Sequence, residues 1–356
     1  MPMFKVIIWL TFILAVFGLV MISSAGIYLS QKNFGTSYHY FTHQLVFGFL
    51  FGSILFFAGL KINYKFWRKL ALPLILLALF LLVLIFVPGF GVSVGGAKRW
   101  LNFFGLFSFQ PTEILKLALI IYLASWLNGR KFSFGSVAAF AVIIFLIGLF
   151  IAAQPATGTL IIIVAIALAM FFVSGGSFKH FMAIILLMAV SLALLIFLSP
   201  YRFERLFVFL NPDFDVRGIG YHLNQSLIAI GKGGVWGLGF GAGEQKLGFL
   251  PESASDSIFA VIGEELGFIG MLATVSTLLA FVLVLLRIAK KTSDKFVSLY
   301  AVGLASWVGT QSFLNIASLS GLLPLTGVPL PFISFGGTSL AVLMLATGIL
   351  GNMTKK

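Results

Sequence analysis

The sequence of 356 residues has no cysteine, which excludes disulfides, thiolate metal sites and a cysteine nucleophile but does not identify a compartment. Charge is also scarce: 9% of the residues are charged while 60% are hydrophobic, with 41 Phe among them. So little polar surface cannot coat a soluble globule of this length, and lipid must be much of its solvent. Acid is the scarcer sign, 10 Asp and Glu against 23 Lys and Arg, a net charge of +13. The basic residues form short clusters between apolar runs, which is a pattern of membrane topology and not of nucleic-acid binding. No Gly-x-x-x-x-Gly-Lys-Ser/Thr motif, internal repeat, soluble appendage or low-complexity linker is found.

What the chain does have is long apolar runs. About 20 such residues cross a bilayer, and ten runs lie near 4–30, 42–60, 67–88, 111–127, 134–153, 158–174, 179–199, 256–287, 296–319 and 336–352. The first is too long for a typical signal core and has no obvious cleavage site, so a retained helix is expected. The eighth is long enough to include an interfacial part. The expected fold is all-α: one polytopic membrane domain over 1–356, about ten transmembrane helices, and a long outer loop between helices 7 and 8, approximately 200–255.

Lys and Arg are retained on the cytoplasmic side. With cytoplasmic termini, fourteen of them fall inside, among them Lys61, Arg68, Lys69, Arg130, Lys131, Lys290, Lys291 and Lys356, and eight outside, five of these in the long loop. Acids run the other way: Glu113, Glu204, Asp213, Asp215, Glu244, Glu252 and Asp256 lie in outer loops or at the helix ends beside them, and Asp294 is cytoplasmic. Glu264 and Glu265 fall within run eight, where an ionised carboxylate is costly unless paired or wet.

The outer face also holds most of the unusual residue choices. Gly95 to Trp100 includes Lys98 and Arg99, and Phe109 to Lys116 places Glu113 and Lys116 three apart on one helical face, a pattern that also suits a snorkelling pair anchored by Trp100. In the long loop, Arg202, Glu204 and Arg205 precede Asn211-Pro-Asp213, and Gly218 to Gln225 precedes a Gly-rich run, 231–243. A re-entrant or surface-lying loop fits that run better than a phosphate cradle, and His222, a lone His, suits a hydrogen-bonded structural role. Glu244 to Asp256, with Lys246 and Glu252, leads straight into run eight. Asp256 there can cap the helix or serve as general base to a hydroxyl nucleophile. Three prolines and three glycines in 323–339 point to a broken, cavity-lining element.

Together these motifs resemble the SEDS family (shape, elongation, division and sporulation) over nearly the whole chain. The resemblance rests on Lys98-Arg99-Trp100, Gln110-Pro-Thr-Glu113 to Lys116, Leu250-Pro-Glu252, Asp256 to Gly267, Asn315 and Pro329 to Ser339. It implies a peptidoglycan glycosyltransferase that polymerises lipid II at the outer face of the cytoplasmic membrane. The implied partners are the nascent glycan strand, a class B penicillin-binding protein and other divisome or elongasome proteins. Asp256 matches the family's essential aspartate and would deprotonate the acceptor hydroxyl. Arg99, Lys116, Arg202, Arg205 and Lys246 would stabilise the leaving diphosphate, with Glu113, Trp100, Glu252, Ser334, Gly336, Gly337 and Ser339 as further substrate-binding positions. A divalent cation, Mg or Mn, on the diphosphate is compatible with the resemblance, but no metal-ligand cluster can be read.

The chain departs from the family pattern in carrying Ala156 where an acid is common, Ala254-Ser255 where His-Thr is frequent, and Ser257 where an aromatic is usual. Gln245 to Pro251 is more similar to the FtsW branch, while Thr326 to Pro331 also suits the RodA branch. Two other classes of function stay open on the residues: a lipid II flippase or transporter, and a non-catalytic scaffold for a transpeptidase.

Overall fold

The computed structural model describes residues 3–355 except 95–96, 104–106, 131, 155, 212–214, 216–217 and 219. Gly95, Gly96, Lys131, Pro155, Asp213, Arg217 and Lys356 of the sequence reading therefore lie outside the described residues.

Each of the ten apolar runs becomes a helix or a chain of helices. The first is α1 (Met3–Ala25) and α2 (Ile27–Phe34), parted at Gly26, so the run expected to extend unbroken to residue 30 is interrupted. Next come α3 (His39–His43), a π-helical segment (Gln44–Leu50) and α4 (Phe51–Lys61), followed by α5 (Tyr64–Lys69) and α6 (Ala71–Leu84). Then follow α7 (Pro111–Trp126), α8 (Phe134–Ala152), α9 (Thr157–Val173) and α10 (Phe178–Phe197). The long loop carries two shorter helices, α11 (Pro200–Leu210) and α12 (Tyr221–Gly233), before α13 (Ile258–Lys291), α14 (Lys295–Leu319) and α15 (Gly337–Met353).

Local chemistry sets the helix ends. Pro111 opens α7 at the position where a missing N–H costs nothing. Ser133 and Ser136 form a reciprocal capping box on α8, and the Asp294 carboxylate accepts the first N–H groups of α14.

The helices differ in their solvent. One side of α10 and α6 faces outward with bare Leu, Phe and Val, as lipid contact requires, whereas α7 and α14 are enclosed by their neighbours. That enclosure lets α7 and α14 carry Glu113, Lys116, Gln311 and Asn315. The fit of α4 on α15 depends on small residues, since a Cβ at Gly59 would lie 2.9 Å from the Ile349 nitrogen.

Two features depart from a plain helix count. The loop between α6 and α7 carries an antiparallel sheet, β1 (Gly91–Val94), β2 (Ala97–Phe103) and β3 (Phe107–Phe109), in the order β1-β2-β3. These strands are too short for their alternation to stand out between apolar helices. The second is a break inside α13 at Gly267, where φ is 65° and ψ is −165°. A Cβ there would strike the Gly237 nitrogen and the Val235 carbonyl, so glycine is required both for the backbone angle and for the approach of the long loop. The interfacial part expected of run eight is thus a short helical piece, 258–266, set off from the membrane-crossing remainder.

Candidate active site

The start of α12, the start of α13 and the end of α14 converge on the segment 250–257, and the irregular chain 320–336 closes over it. Asn315, four residues after Gln311 on α14, donates both amide hydrogens, to the Asp256 carbonyl (2.7 Å) and to the Val328 carbonyl (2.8 Å). Ser334 Oγ donates to the Ser255 carbonyl (2.6 Å) and accepts the Leu330 N–H (2.7 Å), while the Phe335 N–H donates to the Ala254 carbonyl (2.8 Å). The backbone of residues 254–256 is therefore pinned from two sides. Glu252 is held at φ 51°, a left-handed conformation uncommon for a side-chain-bearing residue, with its carbonyl accepting the Ser255 and Ser257 N–H groups.

Asp256 stands just before α13 and does not cap it: the N-cap is Ser257, whose side chain makes no cap bond. Ser257 Oγ instead donates to the Pro251 carbonyl (2.8 Å), and the single hydroxyl hydrogen is thereby used. His222 Nε2, 2.6 Å away, must then be the donor to Oγ. Among the described residues no hydrogen bond reaches the Asp256 carboxylate. It opens into a cavity of about 100 Å³, with Arg205, His222, Glu252, Asn315 and Gly327 in the wall. A second cavity of about 430 Å³ shares Arg205, His222 and Leu325 with it and extends past Glu204 and Asp215.

Electrostatics separate the titratable groups of this wall. Desolvation and then the Glu252 charge push the Asp256 carboxyl up to about 6, against the pull of Arg99 and Arg205. His222 is moved down to about 4 by burial and by Arg205, so it is neutral at physiological pH. Asn315 Oδ1 is buried without a protein partner.

The remaining sequence candidates lie elsewhere. Arg99 sits on β2 near enough to Asp256 to act on its charge, and its Nε donates to the Gln154 carbonyl (3.2 Å). Trp100, its neighbour, is half-buried and paired across the sheet with Val92.

Lys116 is not in the wall. It is 1% exposed, 2.8 Å from Glu113 Oε1 and 2.9 Å from Gln311 Oε1, and its ammonium stands over the Trp307 ring at 4.6 Å. Gln311 in turn donates to the Pro329 carbonyl (2.8 Å). Glu113 and Lys116 thus form a buried layer beneath the pinned loop.

Lys246 is also enclosed, spending its three hydrogens on Ser24, the Gly241 carbonyl and Glu265. Burial of both cations follows from pairing, because an unpaired charge there would be prohibitive. Arg202 ties the carbonyls of Ala152 (2.8 Å) and Leu195 (3.2 Å), bracing the ends of α8 and α10. Gly336 N–H donates to Gln44 Oε1 (2.9 Å), Gly337 starts α15 against Phe47, and Ser339 is half-buried in its first turn.

Residues that sequence reasoning passed over are Gln311, Trp307 and Ser24. Gln311 and Asn315 formed a readable signal, two amides at helical spacing in an otherwise apolar run. His222 has the hydrogen-bonded role expected of it, with Ser257 Oγ as a partner that only the tertiary fold supplies by bringing α12 against the start of α13.

Comparison with known proteins identifies the family. Residues 5–356 match the family model of the FtsW/RodA/SpoVE cell cycle proteins. A probable peptidoglycan glycosyltransferase FtsW of Geobacter sp. (strain M18) is 36% identical over 355 residues, covering 99% of this chain and 96% of its own. Stage V sporulation protein E of Bacillus subtilis (strain 168) is 37% identical over 353 residues, covering 97% and 95%. In fold, the chain is similar to one in a solved peptidoglycan synthase complex that coordinates polymerization and crosslinking, with a TM-score of 0.81, 24% identity and coverage of 98% and 96%. It is likewise similar to the rod shape determining protein RodA of Thermus thermophilus, with a TM-score of 0.73, 24% identity and coverage of 98% and 95%. A match that runs through every helix and through the loop holding Asp256 leaves one conclusion: the chain belongs to the FtsW/RodA/SpoVE family of cell cycle proteins.

Proposed function

We propose that this chain is a peptidoglycan glycosyltransferase that polymerises lipid II into glycan strands, with its site on the outer face of the cytoplasmic membrane and both termini in the cytoplasm. The observation that carries the reading is Asp256 itself: a carboxylate on a pinned backbone, without a hydrogen bond among the described residues, opening into a cavity under the influence of two arginines. The names of its relatives support the activity. The lysine and arginine bias of the loops supports the sidedness.

Asp256 accepts the proton of the acceptor sugar hydroxyl as that oxygen attacks the anomeric carbon of the donor. The bond from that carbon to the lipid diphosphate breaks, and the diphosphate leaves with the electron pair. Arg205, in the cavity wall, and Arg99 are the cations close enough to Asp256 to stabilise this developing charge. An elevated carboxylate pKa near 6 suits a general base working near neutrality. Asn315 Oδ1 and His222 Nδ1 are acceptors available to sugar hydroxyls.

Glu252 and Asp256 line one cavity as a pair of carboxylates, a donor set that fits a magnesium or manganese ion carried in on the diphosphate with part of its water retained. Groups of three or more candidate ligands do not occur among the described residues. Such an ion would supply charge neutralisation for the leaving diphosphate. The partner of this reading is a class B penicillin-binding protein that crosslinks the strands, within a division or elongation assembly.

The test is polymerisation of lipid II by the purified chain in lipid vesicles with its transpeptidase partner, wild type against Asp256→Asn, each with and without a divalent cation. Glycan strands from the wild type and none from Asp256→Asn are expected. Transbilayer movement of labelled lipid II without polymer would point to a flippase, and undiminished growth of cells carrying Asp256→Asn would point to a scaffold.

A further inference from the structure

The Gly-rich loop between α12 and Asp256 shows a combination that the catalytic reading does not use. From 233 to 243 it has no charged side chain, and its large residues point away from the protein: Trp236 is 81% exposed, Phe240 53% and Val235 55%. Leu247 and Phe249 extend the same bare surface at 50% and 55%. An exposed apolar set of this size on a short loop marks an interaction surface.

The backbone beneath is satisfied from within over its inner half, while among the described residues the N–H groups of Val235, Trp236, Phe240, Gly248 and Phe249 have no protein acceptor. The Gly237 N–H donates to the Gly233 carbonyl, Leu238 to Glu264, Gly239 to Glu265 and Ala242 to Gly239, at 2.8 to 3.1 Å. Carboxylates take the next groups: Gly241 N–H donates to Glu265 Oε2 (3.1 Å), and the Glu244 and Gln245 N–H groups to Glu264 Oε1 (3.0 and 3.1 Å). Lys246 and Ser24 close the cluster on Glu265 Oε1. Backbone satisfied in this way can be seated against hydrocarbon, and the N–H groups left over are served at the headgroup level, where water reaches them.

Position decides the occupant. The Phe268 N–H donates to the Gly234 carbonyl (2.9 Å) and the Ile269 N–H to Val235 (3.2 Å), joining the loop to the start of the membrane-crossing part of α13. Phe268, Ile269 and Leu272 there are exposed on a helix long and apolar enough to cross a membrane. The bare side chains of the loop continue that surface. The exposed Lys232–Glu244 ion pair bounds it at the loop's base (2.9 Å).

We infer that the loop 234–249 is a re-entrant element seated in the outer leaflet, with Trp236, Phe240 and Phe249 in contact with lipid. The buried Glu264–Glu265–Lys246 cluster is the device that lets a glycine-rich backbone enter the membrane. Because the loop runs into segment 250–257, its seating holds the Asp256 cavity at the level of the lipid headgroups. This inference is independent of the catalytic role of Asp256.

The absence of cysteine makes the test direct. Single cysteines at Trp236, Phe240 and Phe249 are spin-labelled, with Phe268→Cys as the lipid-facing reference and Lys32→Cys as the aqueous one. Collision with oxygen and with a water-soluble nickel chelate is then read for the purified full chain in lipid nanodiscs. A several-fold excess of oxygen over nickel accessibility, as at position 268, is expected at the loop sites. Nickel accessibility equal to that at position 32 overturns the inference, since the loop then lies in water. Low accessibility to both reagents overturns it as well, since protein then covers the surface. The three sites are read independently in variants whose thermal unfolding matches the parent, so one misfolded variant does not decide the result.

Discussion

Two groups of carboxylates lie on either side of one short helical piece, and they meet opposite environments. Asp256, at its beginning, receives no hydrogen bond among the described residues and opens into a cavity. Glu264 and Glu265, at its end, are fully buried and saturated by backbone N–H groups, Ser24 and Lys246. A carboxylate whose lone pairs are all engaged is a fastener. One that is pinned by its backbone yet left free at its oxygens is available to take a proton. The difference separates the residue for chemistry from the residues for construction, although all three are acids within one run of sequence.

The sharpest way to break this comparison is to neutralise each side. Asp256→Asn keeps the shape and should lower polymerisation by about 10²–10⁴-fold, the usual range for a lost general base, without lowering thermal stability. Glu265→Gln should instead act on folding, leaving the rate per folded molecule largely intact.

On the construction side, Lys246→Met leaves Glu265 as an uncompensated buried charge and should cost about 3–5 kcal/mol in unfolding experiments. Adding Glu265→Gln to Lys246→Met should recover a large part of that loss. If the double variant were as unstable as the single one, pairing would not be what holds the cluster.

A smaller effect concerns pH. Activity that needs ionised Asp256 should fall as pH drops through about 6. Glu252→Gln removes a neighbouring negative charge and should move this limb to lower pH, whereas Arg99→Gln should move it up, as read from kcat/KM profiles. The linkage has a definite sign. Because the folded-state pKa is raised above its unfolded value, the protonated carboxyl is the form that folding favours, and stability declines as pH rises towards about 6. Asp256→Asn should lack that decline.

The smallest change is expected from His222→Gln, which retains a donor for Ser257 Oγ and should alter stability and rate by about 1 kcal/mol or less. His222→Ala removes the donor and should cost more. Since His222 titrates at about 4, no activity limb near neutrality should disappear with it.

Much of this could be read before any coordinates. The helix runs and the shared helical face of Glu113 and Lys116 followed from apolar length and from the three-residue spacing, but a pair expected to snorkel at the boundary is instead buried. The cost of a charge in lipid marked Glu264 and Glu265 as paired or functional. Lys246, however, read in sequence as one more outer cation beside Arg99 and Arg205. Nothing local distinguishes a lysine that turns inward to a glutamate nineteen residues on from one that meets a diphosphate.

The sequence by itself determined that the chain lives in a membrane, which way its basic loops bias it, and which acids lie at the ends of apolar runs, because hydropathy and charge act through composition and period alone. Tertiary structure alone decided which of those acids is left bare. That choice depends on Asn315, Ser334 and His222 arriving from α14, the 320–336 segment and α12 to hold one loop still, while Lys246 and three backbone N–H groups close over another. Hydrogen-bond saturation is a property of packed neighbours, and neighbours distant in sequence are what a fold supplies.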